Sequence, residues 1–139
     1  MTDIFIEGVI NQALQELMSD ETGIDLVFPN ISYTPSHDRP YLMTSCIPTS
    51  STAASLGTDA PNRRIGFYQV DINLPADTGT GEALRLLKKL NERFKRGTWL
   101  RSGDVAVRIT AFREAGVQFE QTDWYRRIGR IFYRADLEN

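Results

Sequence analysis

Near the start of the chain, Ile6, Val9, Ile10, Ala13, Leu14, Leu17 and Met18 recur at helical spacing and fall on one apolar stripe. The spacing predicts an amphipathic helix over 3–19, with Thr2 or Asp3 as its cap and Gly23 beyond its end. "IDLVFPN" reads as extended and closes at Pro29, because the residue before a proline avoids the helical region. "ISYTP" and "RPYLMTSCIP" read as short strands around the turn Pro35-Ser36-His37-Asp38. In the second, Tyr41, Met43, Ser45 and Ile47 face one way and Leu42, Thr44 and Cys46 the other. Residues 48–63, dominated by Ser, Thr, Ala, Gly and Pro, read as a long flexible loop.

Alternation is cleanest over 64–74, where Tyr68, Val70, Ile72 and Leu74 oppose Phe67, Gln69, Asp71 and Asn73. A second helix is predicted over 80–96, with Ala83, Leu86, Leu87, Leu90 and Phe94 inward and Gly97 as its stop. Two strands follow. The first, 104–112, aligns Val105, Val107, Ile109 and Ala111 on one face. The second, 123–135, places Trp124, Arg126, Ile128, Arg130 and Phe132 on one face and Tyr125, Arg127, Ile131 and Tyr133 on the other. This order predicts a single α+β domain, two helices packed on a mainly antiparallel β-sheet.

Composition narrows the function classes. The chain has 139 residues, 41% hydrophobic and 24% charged, the balance of a globular protein with a real core. No apolar run approaches the ~20 residues that a membrane span needs, so no membrane partner is expected. The opening MTDIFIEGVI lacks the basic segment of a secretion signal. The one cysteine, Cys46, permits no internal disulfide, which fits a reducing compartment.

Charge is unevenly spread although the net is −2. The first 38 residues carry seven acids and no Lys or Arg, whereas residues 85–134 carry thirteen Lys/Arg against five acids. Such asymmetry suits a nucleic-acid surface, subunits packed acidic face to basic face, or merely two solvated faces.

The chain's chemistry-bearing residues do not assemble into a catalytic pattern. Gly79-x-Gly81 lies between a strand and a helix, the layout of a phosphate loop, but the third glycine of the dinucleotide fingerprint is missing and no Gly-Lys-Ser/Thr follows. The preceding strand is amphipathic, whereas parallel doubly wound sheets want strands apolar on both faces. The stretch reads as a turn, with Thr80 available to cap the helix and Glu82 in its first turn. One His (His37) and one Cys cannot make a zinc site, and no Asp-rich calcium loop is present. His37-Asp38 in a turn is a weak nucleophile-activating pair, and Asp71 reads as a strand carboxylate paired with an arginine. No cofactor is expected. Arg126, Arg127, Arg130 and Arg134 crowd the last strand among Trp124, Tyr125, Phe132 and Tyr133. That row is read as an edge strand guarded by charge, a protein interface, or a nucleic-acid surface.

Several segments in combination carry a resemblance. They are the leading helix, "VFPNISYTP" with "RPYL", "LGTDAPNRRIGFYQVDI", "LPADTGTGEAL", "RFKRGTWL" and "TDWYRR". The most specific combination joins Arg64, Gly66, Tyr68, Gln69, Val70 and Asp71 to Pro40-Tyr41-Leu42 upstream and Asp123-Trp124-Tyr125 downstream. With these segments the chain resembles the tail terminator-like proteins of long-tailed bacteriophages. The resemblance implies a structural virion protein with no catalytic residues, made in the host cytoplasm and placed at the head-proximal end of the tail. It implies a ring of copies, usually six, that caps the tail tube and stops its polymerisation. The implied partners are other copies, the tail tube protein, a head–tail connector or stopper protein, and DNA passing through the lumen. Charge and position single out Arg63, Arg64, Asp71, Arg126 and Arg130 as intersubunit or tube contacts. A head-side connector and a small nucleic-acid-binding module are the alternatives.

Overall fold

The computed structural model describes residues 2–29, 31–36, 38–53, 62–76, 79–121 and 124–137. Helix α1 (Thr2–Leu17) is followed by strands β1 (Asp25–Val27), β2 (Tyr41–Ala53) and β3 (Asn62–Pro75). Helix α2 (Gly81–Arg93) then leads to β4 (Trp99–Ser102), β5 (Val105–Gln121) and β6 (Trp124–Leu137). The strands form one sheet in the order β1-β2-β3-β6-β5-β4. Only the short β1 pairs in parallel, with β2; the other pairings are antiparallel. The α+β class and the mainly antiparallel sheet match the sequence reading.

Both helices lie on one sheet face. From α1, the side chains of Ile6, Ile10 and Leu14 are wholly buried; α2 and the turn after it contribute Ala83, Leu86, Leu90 and Phe94. They meet Leu42, Tyr68, Val70, Ile72, Leu74, Val107, Ile109, Ile131 and Tyr133 from the strands. The stripes predicted for both helices are the ones buried. Truncating one of the fully buried leucines to alanine costs about 2–5 kcal/mol by lost transfer energy and a residual cavity.

The helices are also tied to each other electrostatically. Glu21, beyond the end of α1, accepts from Arg85 (2.9 and 2.7 Å) and from Lys89 (2.7 Å), both on α2. Lys89 also reaches Asp20 at 2.7 Å. Part of the acidic N-terminal third is therefore neutralised within the chain by the basic second helix. At the sheet edge, Asp25 accepts from Arg39 (2.7 Å) and from the Tyr33 hydroxyl (2.8 Å), which fixes the chain entering β2. The Arg39 bond holds the Asp25 carboxyl below its usual range, and burial pushes the Tyr33 hydroxyl up to about 12.

Several expectations are corrected. Residues 48–63 are not a loop throughout. β2 continues to Ala53 and β3 starts at Asn62, with Ser51 opposite Arg64 and Thr52 opposite Arg63. A bulge between Pro48 and Ser50 absorbs the proline, and small β-branched Thr suits an extended chain. Residues 54–61 and His37 lie outside the described residues. "ISYTP" forms no strand; Tyr33 instead packs its ring against Tyr41 at 5.1 Å. β4 was not foreseen, and the second helix ends at Arg93 rather than at residue 96.

The turn Gly79-Thr80-Gly81 needs its first glycine for conformation: Gly79 has φ +81°. Thr80 is the N-cap residue, yet its hydroxyl makes no capping bond; its carbonyl accepts from Leu84 N at 3.0 Å. Glu82 sits in the first turn as expected and bonds Arg85.

Candidate interaction face of the sheet

The sheet face opposite the helices is where the candidate residues gather. Strict alternation along β3 and β6 carries Arg63, Phe67, Gln69, Asp71 and Asn73 to that face, with Arg126, Ile128, Arg130, Phe132 and Arg134. Cross-strand register sorts them into rows. Arg126 pairs with Asn73, which pairs with Tyr41. Ile128, Asp71 and Met43 make the next row, then Arg113, Arg130, Gln69 and Ser45. An apolar row follows, Ala111, Phe132, Phe67 and Ile47, and then Trp99, Arg108, Arg134 and Ile65.

Side-chain bonds hold these rows in place. Arg126 Nε donates to Asn73 Oδ1 at 2.7 Å, and Arg130 Nε to Gln69 Oε1 at 3.0 Å. Gln69 Nε2 donates in turn to Asp71 Oδ1 at 2.9 Å. Asp71 thus takes an amide partner where an arginine was expected, because β6 places Ile128 directly across from it. The Arg130 guanidinium lies 5.0 Å from the Phe67 ring centre, and Arg113 lies 5.7 Å from that of Phe132. The two phenyl rings are 5.5 Å apart. Arg63 sits at the far end of the face, ion-paired with Asp136 at 3.0 Å.

Of the five candidate residues, Arg63, Asp71, Arg126 and Arg130 share this face; Arg64 does not. It stands on the opposite, helix-side face, next to Arg63 in sequence but turned away by the strand period. Arg127 also faces the helix side, where it ion-pairs with Glu114 and donates to the Tyr125 hydroxyl at 2.9 Å.

The edge-strand reading of the arginine row is overturned. β6 lies between β3 and β5, inside the sheet. An interior strand tolerates charge here because, among the described residues, both helices lie on its other face and its arginines stay partly exposed. Sequence reasoning also missed Arg108 and Arg113 as members of this face. β5 bulges between Ile109 and Ala111, so Ala111 leaves the helix side and Phe112 takes its place. Periodicity cannot be carried across such a bulge to Arg113; Arg108, before the bulge, alternates with the buried Val107 and Ile109 and joins the face through the pairing of β5 with β6.

A family model described as phage tail terminator protein matches residues 6–131. One solved structure superposes with a TM-score of 0.70 at 19% identity, covering 94% of this chain and 96% of that one. Another, from the virion of a native gene transfer agent particle, superposes with a TM-score of 0.55 at 19% identity, covering 94% of this chain and 92% of that one. These two are likenesses of fold. No curated protein matches. The family match runs from within the first helix to the middle of the last strand, over most of the chain: the chain belongs to the phage tail terminator proteins, structural components of the virion and not enzymes.

Proposed function

We propose that this protein closes the tail tube as a ring of identical copies, six in number, at the head-proximal end of the tail. The ring stops polymerisation of the tube protein and presents the tail to a head-side connector or stopper, with DNA passing through its lumen. The observation that carries this reading is the family match over nearly the whole chain. The uncovered sheet face supports it, since it offers arginines and aromatics of the kind enriched at protein interfaces. Arg63, Asp71, Arg126 and Arg130 serve as contacts on that face, and Arg64 on the other face beside the β2–β3 hairpin.

The test is to disrupt the gene in the phage that encodes it and to image the particles by negative-stain electron microscopy. Overlong, headless tubes beside full heads are expected. Normal-length tails beside leaking or empty heads would move the protein to the head side. Normal infectious virions would sink the terminator role. In complementation of that phage, Arg63→Glu with Arg64→Glu is expected to lose tail completion while the purified variant still folds; unchanged plating would remove those two residues from the contact.

A further inference from the structure

Neither long outer strand of the sheet is covered along its length. β1 pairs only with Tyr41–Met43 of β2, and β4 only with Val105–Arg108 of β5. Thr98 extends the cover of β5 by one position, its carbonyl accepting from Ile109 N at 2.8 Å. Among the described residues, no strand lies beside β2 from Thr44 to Ala53 or beside β5 from Ala111 to Gln121 on the outer side. An open strand edge is a template for another strand, and natural proteins leave a long one only where it is guarded or used.

The two open stretches fit each other. They lie on opposite sides of the sheet and toward opposite ends. Ser50 is level with Ile65, Arg134, Arg108 and, on β4, Trp99, whereas Met43 is level with Asp71, Ile128, Gly116 and, on β1, Val27. A second copy slid along the strands brings Ser45–Thr52 of one copy antiparallel to Ala111–Gln118 of the other, with β1 and β4 beyond the ends of the ladder. The pleats agree: Ile47 meets Gly116, and both belong to rows of the uncovered face. The bulges agree as well. β2 carries Thr49 as an extra residue against β3, and β5 carries Ala115 as one against β6. In this register Thr49 meets Glu114 and Ala115 meets Pro48, so the new ladder runs without a break. A bulge and a proline shield an edge from chance pairing; a strand bulged at the same place evades the shield.

The offset also suits closure. Ser50 is level with Arg108 within one copy and faces Arg113 of the next, four rows along β5 (Ile109, Ala111, Phe112, Arg113). Spread over the long strands β2, β3, β6 and β5, that is one residue per strand. At about 3.3 Å per residue and about 4.8 Å between strands, the strands tilt by about 35°, within the range at which sheets close into barrels. A contact that joins two different edges is head-to-tail, and a closed ring of such contacts leaves no open edge.

Resting on the ring reading above, we infer that neighbouring copies are joined by this ladder: β2 of one copy adds to β5 of the next, and the sheet continues around the ring.

The chain's own cysteine supplies the test. In the ladder Cys46 stands across from Val117 of the neighbouring copy, at the Cα separation of about 4.5–5.5 Å that a disulfide spans. Within one chain β3 and β6 stand between these two positions, so a link must join two copies. Val117→Cys is produced in phage that also carries the wild-type gene, so that tails are completed, and the purified particles are oxidised and run on non-reducing gels. A disulfide-linked dimer of this protein is expected. Wild type, and Gln118→Cys with its new thiol on the other side of the pleat, are expected to give none. Thr52→Cys with Ala111→Cys, in a Cys46→Ser chain, is expected to link copies at the far end of the same ladder. No link from either pair would overturn the inference, and so would equal linking by Gln118→Cys and Val117→Cys. A link to the tube protein instead of a second copy would give the edge to the tube and overturn it too. If the gene-disrupted phage makes normal tails, the ring reading fails; if it makes overlong tubes and neither pair links, only the ladder fails.

Discussion

A Cβ placed on Gly66 would stand 2.5 Å from the Tyr133 hydroxyl and 2.6 Å from the Ile47 carbonyl oxygen. The tyrosine could swing aside only by giving up its buried position, and the carbonyl belongs to the β2 backbone. Gly66→Ala is therefore expected to destabilise the fold by about 1–3 kcal/mol, through overpacking rather than backbone strain. Urea unfolding followed by circular dichroism measures it, and Gly8→Ala, where nothing lies within 4 Å, is the matched control. In sequence Gly66 is simply a poor strand residue. Its reason depends on register, since Tyr133 is its partner on β6 and Pro48 its partner on β2. The same holds for Asp71. The sequence makes it a strand carboxylate, but only register shows that Ile128 stands opposite and that Gln69 supplies its bond.

The clamp between the helices makes a prediction at the next scale. Hydrogen bonds from Arg85 and then Lys89 hold the Glu21 carboxyl down at about 2, from an ordinary value of 4.5. The folded state thus binds the Glu21 proton more weakly than the unfolded chain does. That preference stabilises the fold in full above about pH 4.5 and is lost as pH falls toward about 2. Glu21→Gln is expected to be less stable than wild type at neutral pH, with the gap closing on acidification through that window. Thermal melts of both proteins across pH 2–7 read it directly; a pH-independent gap would mean that Glu21 acts by packing.

Elements also show where sequence reading stops. Both helices were legible because each buries a continuous stripe. β4 was not, since two of its four residues are the exposed Trp99 and Arg101, stacked on each other at 5.2 Å. The residues of β6 were sorted correctly onto its two faces. Its place in the sheet is not legible, because charge on one face suits an edge strand as well as an interior strand with one open face.

For the whole molecule, acidic residues spent on internal clamps leave the cations of the uncovered sheet face to look outward. Charge-steered assembly is screened by salt. Binding of the purified protein to tail tubes is accordingly expected to fall as ionic strength rises, and co-sedimentation with tubes measures it. Insensitivity to salt would point to the apolar rows as the dominant contact. The candidate face was half legible. Arg126, Arg130 and Asp71 follow from alternation alone, whereas Arg113 comes in only past a bulge in β5, and Arg108, before that bulge, joins them through the pairing of β5 with β6.

The position of β6 has a consequence for how the chain reaches its native state. β2 and β3 can zip together early as a hairpin, and β4 with β5 likewise. The strand that joins these halves is the last of the six in chain order, so β3 must wait with an open edge while the second helix and two further strands emerge. Non-local pairing of that kind slows folding and leaves an unpaired strand edge exposed to other chains meanwhile. Until β6 arrives there is also no arginine row at the centre of the sheet. A half-made chain therefore lacks the β6 arginines of the surface proposed for assembly, and its open β3 edge is the place where incomplete chains can pair wrongly.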